Sequence, residues 1–425
     1  MEQEHNMAIA DTILELNDAL QDAKTAITTA GGTVGDTGLA GLATEIATIP
    51  SGGGGVTVVE KDINFYDYDG TLVESWTLAE LADKTALPAN PSHTGLTAQG
   101  WNWTLADLKT QNTKMNVGQM YIPTDGKTHL FVEVDADHLT PNLAIGLNGT
   151  AIVDWGDGTA TTTLTGNDID TSQNSYHTYA SSGSYEVTIE IPEGSEGKIR
   201  GNSTYVCFLW KGDAAQSVQM GDVKNLSYAA QLKHLQIGAR MSLTTLHLLR
   251  GLLDITLPLS ISIDSSNYTF QDCSRLKFVT LPSSVTSIGY STFFGCYSLT
   301  SISLPSSVTS IGNNAFTNCY SLTSISLPSS VTSIGHNAFS GGYSLTSISL
   351  PSSVTSIEYD AFSDCKSLSV VDCTSVTSIP TAGTNIFGTA DSQKTGLIIK
   401  VPSVLEADWK AASGWSTYAD YIVGV

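Results

Sequence analysis

Four patterns of residues in this chain have types and spacings that could do chemistry. Asp154 and Asp157, with the neighbouring glycine, form a turn whose carboxylate oxygens could hold Ca²⁺, though two carboxylates fill only part of a calcium shell. The other reading of that turn is a plain connection between strands. Cys273, Cys296, Cys319 and Cys365 fall at multiples of 23 residues, with Gly342 at the position where a fifth would sit. Equal spacing in a stacked repeat makes a ladder inside the core, where free Cys acts as a small hydrophobe. Zinc ligands must converge tetrahedrally on one point, so no metal is expected there. Cys207 and Cys373 lie off this lattice. Tyr297, Tyr320 and Tyr343 directly follow Cys or Gly lattice positions, and Lys366 replaces the next member. Standing on a surface, these three phenols would suit stacking on sugar rings and hydrogen bonding to their hydroxyls; lying against the bend, they would shield it. His93, His129, His177 and His234 show no partner spacing, so no catalytic triad is expected.

Residues 63–72, INFYDYDGTL, bring Asp67 and Asp69 to the end of an expected strand. The DxDGT ending resembles the first motif of haloacid-dehalogenase-like phosphatases. That resemblance would make Asp67 a nucleophile and Asp69 a general acid, with Mg²⁺ neutralising the phosphate. Such enzymes also need a doubly wound parallel sheet, a later Ser or Thr, a Lys and a second acidic pair. Here antiparallel strands are expected within about 60 residues, and the nearest later candidate, Gly221 and Asp222 with Lys224, lacks the second acid. The expected structure is a hairpin with AspGly in its turn, and no enzymatic activity.

The elements that carry these residues follow from a repeat. LeuPro recurs at Leu281, Leu304, Leu327 and Leu350, and YSLTSISLPSSVTSIG appears unchanged from Tyr297 and from Tyr320. A period of 23 lies in the leucine-rich-repeat range, where each coil buries its apolar face only against a neighbour. Leu299, Ile302, Leu304, Val308 and Ile311 alternate as short strands do, and Ala315, Phe316 and Cys319 follow through a bend, all pointing inward. The LxxIxLPxxVxxIGxxAFxxCxxL pattern, from about Leu253 to Leu368, resembles the BspA-like class of leucine-rich repeats, found in bacterial surface proteins and in some phage structural proteins. Degenerate units around Leu232 to Leu248 are expected to cap its start. The ending is similar to caps seen after such repeats, with Trp409, Trp415 and Tyr418 covering the last coil, since an open solenoid end is a sticky edge.

Upstream, residues 129–195 read as alternating strands. ValAspTrpGlyAspGlyThr at 153–159 and HisThrTyr at 177–179, followed by Gly183, Tyr185 and Val187, resemble the PKD-type immunoglobulin-like sandwich, which implies a non-catalytic spacer or binding module. Residues 56–128, rich in Trp and Tyr, read as a small mixed α+β domain with helices near Leu78–Lys84 and Leu105–Lys109. A flexible SerGlyGlyGlyGly linker spans 51–55. In residues 1–50, Ile9, Ile13, Leu16, Leu20, Ala23 and Ile27 make a heptad seam, which predicts a helical attachment or oligomerisation module, or an amphipathic helix docked on another protein. With its linker, this segment resembles N-terminal parts of tail and baseplate-associated proteins of phages infecting Gram-positive bacteria. The expected fold is therefore mainly β and multidomain, with the solenoid occupying 196–425.

Charge separates the two halves. The 425-residue chain carries a formal net charge of −22. Residues 1–200 hold 28 acidic against 8 basic residues, whereas 201–425 hold 13 against 11, and 278–357 contain no Asp, Glu, Lys or Arg. Such a chain repels phosphate backbones and anionic lipid, so neither nucleic acid nor membrane is an expected partner. The start lacks a basic end followed by an unbroken apolar run, so standard secretion is not expected. The expected function is a virion structural protein, a phage tail or surface fibre that binds host cell-surface polysaccharide or protein through the solenoid. It would contact other virion proteins, and copies of itself, through its N-terminal helices. The alternative is a bacterial surface adhesin with the same repeats. No cofactor is expected.

Overall fold

The computed structural model describes residues 62–425 apart from 112–114, 135–138, 200–207, 211–230, 239–240, 244–245, 247–248, 250, 260, 262–267 and 389–395. The expectations for the N-terminal helices, the Gly-rich linker, Cys207 and the Gly221 segment lie outside the described residues. The described chain is mainly β with few helices and ends in a β-solenoid of stacked, parallel-paired coils.

The first sheet is small and mixed. β1 (Ile63–Tyr66) pairs antiparallel with β2 (Leu72–Trp76), and α1 (Leu78–Asp83) follows. A capping box starts α1: the Thr77 hydroxyl accepts from Glu80 N–H while the Glu80 carboxylate accepts from Thr77 N–H. β3 (Leu96–Trp101), α2 (Leu105–Leu108) and β4 (Met115–Pro123) complete the sheet, in the order β2-β1-β4-β3 with β1 and β4 parallel. β4 is buried along nearly its whole length, because each of its faces meets a different core. Met115 and Val117 join Phe65, Trp76 and Trp101 in the small core. Met120 faces the large core that continues into the repeats.

β5 (Thr128–Val134), the long hairpin of β6 (Pro141–Asp154) and β7 (Thr162–Tyr176), β8 (Gly183–Glu190) and β9 (Glu196–Ile199) form the second sheet, joined by β10 (Phe208–Trp210), β11 (Gln231–Gln236) and β12 (Met241–Leu243). β11 joins this sheet to the solenoid. It pairs antiparallel with β5, Leu235 opposite Leu130, and parallel with β13 (Asp254–Thr256), Leu235 opposite Ile255. One core of buried side chains accordingly runs from Met120 to Ile422.

The 23-residue coils of the solenoid give a short strand or a single bridge to a first face, a two-residue strand or a bridge to a second, and a turn-rich return. β14 (Phe278–Thr280) and β15 (Ser301–Ser303) belong to the first face; Ser310–Ile311, Ser333–Ile334, Ser356–Ile357 and Thr381–Ala382 make the second. Phe270, Phe293, Phe316, Phe339 and Phe362 stack along the returns with ring centroids 5.1 to 5.3 Å apart. Two positions per return have positive φ. Tyr268, Ser291, Asn314, Asn337 and Asp360 occupy one, while Asp272, Gly295, Asn318, Gly341 and Asp364 occupy the other. Asn, Asp and Gly tolerate this left-handed region best, which accounts for their recurrence on either side of AlaPhe in the later coils, whereas Tyr268 and Ser291 adopt it in the earlier ones.

The repeat stays solvated without charge because its hydroxyls bond to the coil before. Thr309, Thr332 and Thr355 donate to the carbonyls of Thr286, Thr309 and Thr332, and Ser307, Ser330 and Ser353 to those of Val285, Val308 and Val331. At the C-terminal end Trp409, Trp415 and Tyr418 are buried over the last coil. Trp415 Nε1–H donates to Pro380 O at 2.8 Å, and the Tyr418 ring meets Phe387 edge-on at 5.1 Å.

Candidate binding surface

Tyr297, Tyr320 and Tyr343 stand at the corner between the returns and the first strand face. Successive ring centroids lie 4.9 and 4.8 Å apart with interplanar angles of 5° and 4°. Tyr297 and Tyr343 are 37% and 39% exposed, so the ladder belongs to the surface. Its geometry revises the chemistry the spacing suggested. The Tyr320 ring is stacked between its neighbours, and Lys366 Nζ sits 4.3 Å over Tyr343. A ring face covered by another ring cannot take a sugar, so the ladder offers edges and phenolic hydroxyls. Burial, and then the proximity of Tyr343, raise the Tyr320 phenol above its ordinary value, so it remains a protonated hydrogen-bond donor at neutral pH.

The Cys ladder beneath it is structural. Cys273, Cys296, Cys319 and Cys365 are buried free thiols whose Sγ donate to the carbonyls of Leu246, Phe270, Phe293 and Phe339. Burial pushes the Cys296 and Cys319 thiols up, away from the thiolate a metal or nucleophile needs. Among the described residues no group of three or more His, Cys, Asp or Glu is placed to hold a metal ion.

Asp154 and Asp157 each engage Oδ1 within the turn itself. Asp154 Oδ1 accepts from Gly156 N–H, and Asp157 Oδ1 accepts from both the N–H and the hydroxyl of Thr159. Asp157 Oδ2 meets His177 Nε2 at 2.7 Å. The His177 ring stacks on Trp155, and the Tyr179 hydroxyl donates to Trp155 O, which ties 153–159 to 177–179. Burial acts to raise the Asp157 carboxyl, but hydrogen bonds from Thr159 and His177 outweigh it and hold the group down, at about 2. A carboxylate depressed in the folded state stabilises fully above its unfolded value, and the effect fades as pH falls from the ordinary 3.8 towards about 2. Asp157→Asn is expected to cost about 1–3 kcal/mol at neutral pH and to flatten that acid limb. Urea midpoints measured across pH check this; an unchanged acid limb would refute the role.

Asp67 is likewise engaged. It lies in the β1–β2 hairpin turn, where its N–H donates to Thr71 O at 2.8 Å, and its Oδ2 meets His93 Nε2 at 2.6 Å. That contact fastens the 88–95 segment against β1, and Asp69 Oδ1 accepts from Thr71 N–H. The strand after the motif is antiparallel to β1, which is hairpin geometry and differs from a doubly wound sheet. Burial and the adjacent Asp67 hold the Tyr121 phenol above its ordinary value. The other histidines also have carboxylate partners that their spacing did not reveal: His129 meets Asp125 and Glu186, and His234 meets Asp254.

A further feature left no signal in the sequence. The small sheet is clamped across the first strand face of the solenoid. Asn102 Nδ2 donates to Leu281 O and Ser303 Oγ, Trp103 Nε1–H donates to Leu304 O at 2.9 Å, and Ser303 Oγ donates to Asn116 O at 2.6 Å. Gly118 is required by this approach, since a Cβ there would meet Thr280 Oγ1 at 1.9 Å. The clamp covers one face of the early coils, while Tyr297 and Tyr343 on the corner beside it keep their exposure.

The coils and their ladders define the class: a β-solenoid of leucine-rich repeats. Residues 263–391 match the family described as BspA type leucine rich repeat region, in six copies, and the chain carries repeats of that type. Comparison with curated protein sequences finds no match. Among solved structures, it is similar to a leucine-rich repeat protein from Bacteroides ovatus, at 28% identity over 40% of this chain and 45% of that one, with a TM-score of 0.29. A leucine-rich repeat protein of T. pallidum is 25% identical over 43% of this chain and 89% of its own, with a TM-score of 0.29. A leucine-rich cell surface protein from Faecalibacterium prausnitzii is 24% identical over 40% and 56%, with a TM-score of 0.24. The chain thus spans less than half the length of the Bacteroides ovatus protein.

Proposed function

We propose that this chain is a non-enzymatic, surface-displayed binding protein of the adhesin type, whose solenoid presents the Tyr297, Tyr320 and Tyr343 corner to a cell-surface polysaccharide or protein. The observation that carries the reading is that corner: a rigid, half-exposed row of phenol edges on coils with no Asp, Glu, Lys or Arg between 278 and 357. Preset spacing and low side-chain freedom lower the ordering cost of binding, and an uncharged hydroxyl surface favours a ligand that is itself neutral and hydroxylated. The BspA-type repeats support display at a bacterial cell surface. In this reading the strands of 128–199 are a PKD-like, immunoglobulin-like spacer.

Display on a virion, as a tail fibre, would use the same corner. It draws on the resemblance of residues 1–50 to phage tail-associated segments, which would then bind other virion proteins or further copies of the chain. Replacing all three tyrosines by alanine is expected to weaken adsorption of labelled protein to intact cells at least about fivefold, with the cooperative melt retained. Unchanged adsorption would remove the corner from the account.

A further inference from the structure

A second row of rings runs along the corner between the second face and the returns, and it lacks one member. Tyr290, Asn313, His336 and Tyr359 are spaced by 23 residues and each follows by two the in-register isoleucines Ile288, Ile311, Ile334 and Ile357. Their carbonyls accept from the N–H groups of Tyr268, Ser291, Asn314 and Asn337 in the preceding coil, so the four stand one above another. Tyr290 and Tyr359 are 41% and 43% exposed, and the His336 side chain 31%. The His336 ring stacks on Tyr359 at 3.8 Å, whereas Asn313 interrupts the row between His336 and Tyr290. Asn313 does not fill that gap. Its Oδ1 accepts from His336 N–H at 3.0 Å and lies 2.5 Å from where a Cβ on Gly335 would be, so the short side chain is folded along the backbone of the next coil.

We infer that the slot over Asn313 binds one pyranose ring of a saccharide, held between Tyr290 and His336. Parallel coils repeat every ~5 Å, which sets the two side chains about 10 Å apart and leaves about 5 Å from each to a ring at the vacant level. That spacing lies within the range of ring stacking. The intact tyrosine ladder shows the same fit of one ring per coil, at 4.9 and 4.8 Å. Around the slot stand groups that seek hydroxyls: the Tyr290 and Tyr359 phenols, the Asn313 amide N–H groups, and the Glu358 carboxylate, whose Oε2 is 3.8 Å from His336 Nδ1. A sugar satisfies them while its C–H face meets the rings; a bare aromatic ligand would leave them unmatched. The slot opens outward to solvent, so neighbouring sugar units can extend from it without a cavity. It differs from the Tyr297, Tyr320 and Tyr343 corner, where successive coils already carry a ring at every level.

The test is titration of the full chain with the methyl glycosides of glucose, galactose, mannose and N-acetylglucosamine at millimolar concentrations, read by saturation-transfer NMR. At least one should bind saturably. Asn313→Tyr supplies the missing ring and should abolish that binding with the cooperative melt retained, because the same level of other coils already carries Tyr and Asn313 is not a positive-φ position. Tyr290→Ala removes one wall and should weaken binding roughly tenfold; Tyr290 is exposed, so this second variant keeps its fold. The triple tyrosine variant of the other corner should bind these glycosides normally, which separates failure of this slot from failure of the adhesive corner. Absence of saturable binding by all of these glycosides, or binding unchanged in Asn313→Tyr, or binding lost in the triple tyrosine variant alone, would each overturn the inference.

Discussion

Phe316→Ala is expected to lower stability by about 3–5 kcal/mol, more than any single substitution on the solvated faces of the same coil. Phe316 is fully buried, with stacked rings at 5.2 Å from Phe293 and 5.3 Å from Phe339. Truncation removes its own buried area and one face of contact from each neighbour. In a solenoid each coil is supported only by the coils beside it, so the effect should be local in origin and propagate by loss of stacking. Hydrogen exchange should show amides of the coils around 293–339 losing protection first, with the second sheet at 128–199 affected less. Thr309→Val, which removes a hydroxyl bonded to Thr286 O on the exposed edge, should cost no more than about 1 kcal/mol. Equal effects of the two substitutions would contradict the stacked-coil account of stability.

Trp103→Ala should be the second most damaging change, and its signature differs. Trp103 is buried, packs with the small core, and donates to Leu304 O, so it fastens two bodies of structure at once. Its loss is expected to cost about 3–5 kcal/mol and to split the calorimetric melt, the small sheet unfolding ahead of the solenoid. Trp103→Phe keeps most of the buried area and drops the indole donor. It should cost about 1–3 kcal/mol, because the Leu304 carbonyl is left unpaired in a buried interface. A single, unsplit transition in Trp103→Ala would mean that the clamp contributes little.

These two residues also mark what could be read from the sequence. Phe316 was legible: the 23-residue period placed it, with Ala315 and Cys319, on the inward bend, because a solenoid converts sequence distance directly into a stacked neighbour. The covering role of Trp409, Trp415 and Tyr418 was legible for the same reason, since the last coil must end against something apolar. Trp103 was not. Its partner is 201 positions away, and Asn102, Trp103, Asn116 and Gly118 belong to no repeat and no hydrophobic period. β4 hid its role in a further way, because a strand buried on both faces shows no alternation. The tyrosine row was placed correctly by its spacing, but spacing alone does not reveal that the rings would stack on one another and leave only their edges for a ligand. Asp157 and Asp67 looked like ligand or nucleophile candidates because their neighbours in sequence are turn residues. Their actual partners, His177 and His93, lie 20 and 26 residues away and became visible only through the fold.

The acidic balance takes on a more local meaning. The 278–357 coils satisfy their Ser and Thr hydroxyls by bonds from coil to coil and hold no Asp, Glu, Lys or Arg of their own, while Lys366 of the next coil reaches over Tyr343. In the proposed reading such a surface would discriminate by hydroxyl geometry and respond only weakly to salt, Lys366 being the charged group at its edge. Adhesion of this chain to a cell surface through its solenoid is the proposed function. Its most direct test is adsorption of the fluorescently labelled full chain to a panel of intact bacterial and host cells, in low and high salt, beside an equally acidic control protein. The account predicts saturable adsorption to at least one surface, insensitive to salt and abolished by enzymatic removal of the surface polysaccharide or protein. Adsorption no greater than that of the control on every surface would contradict it.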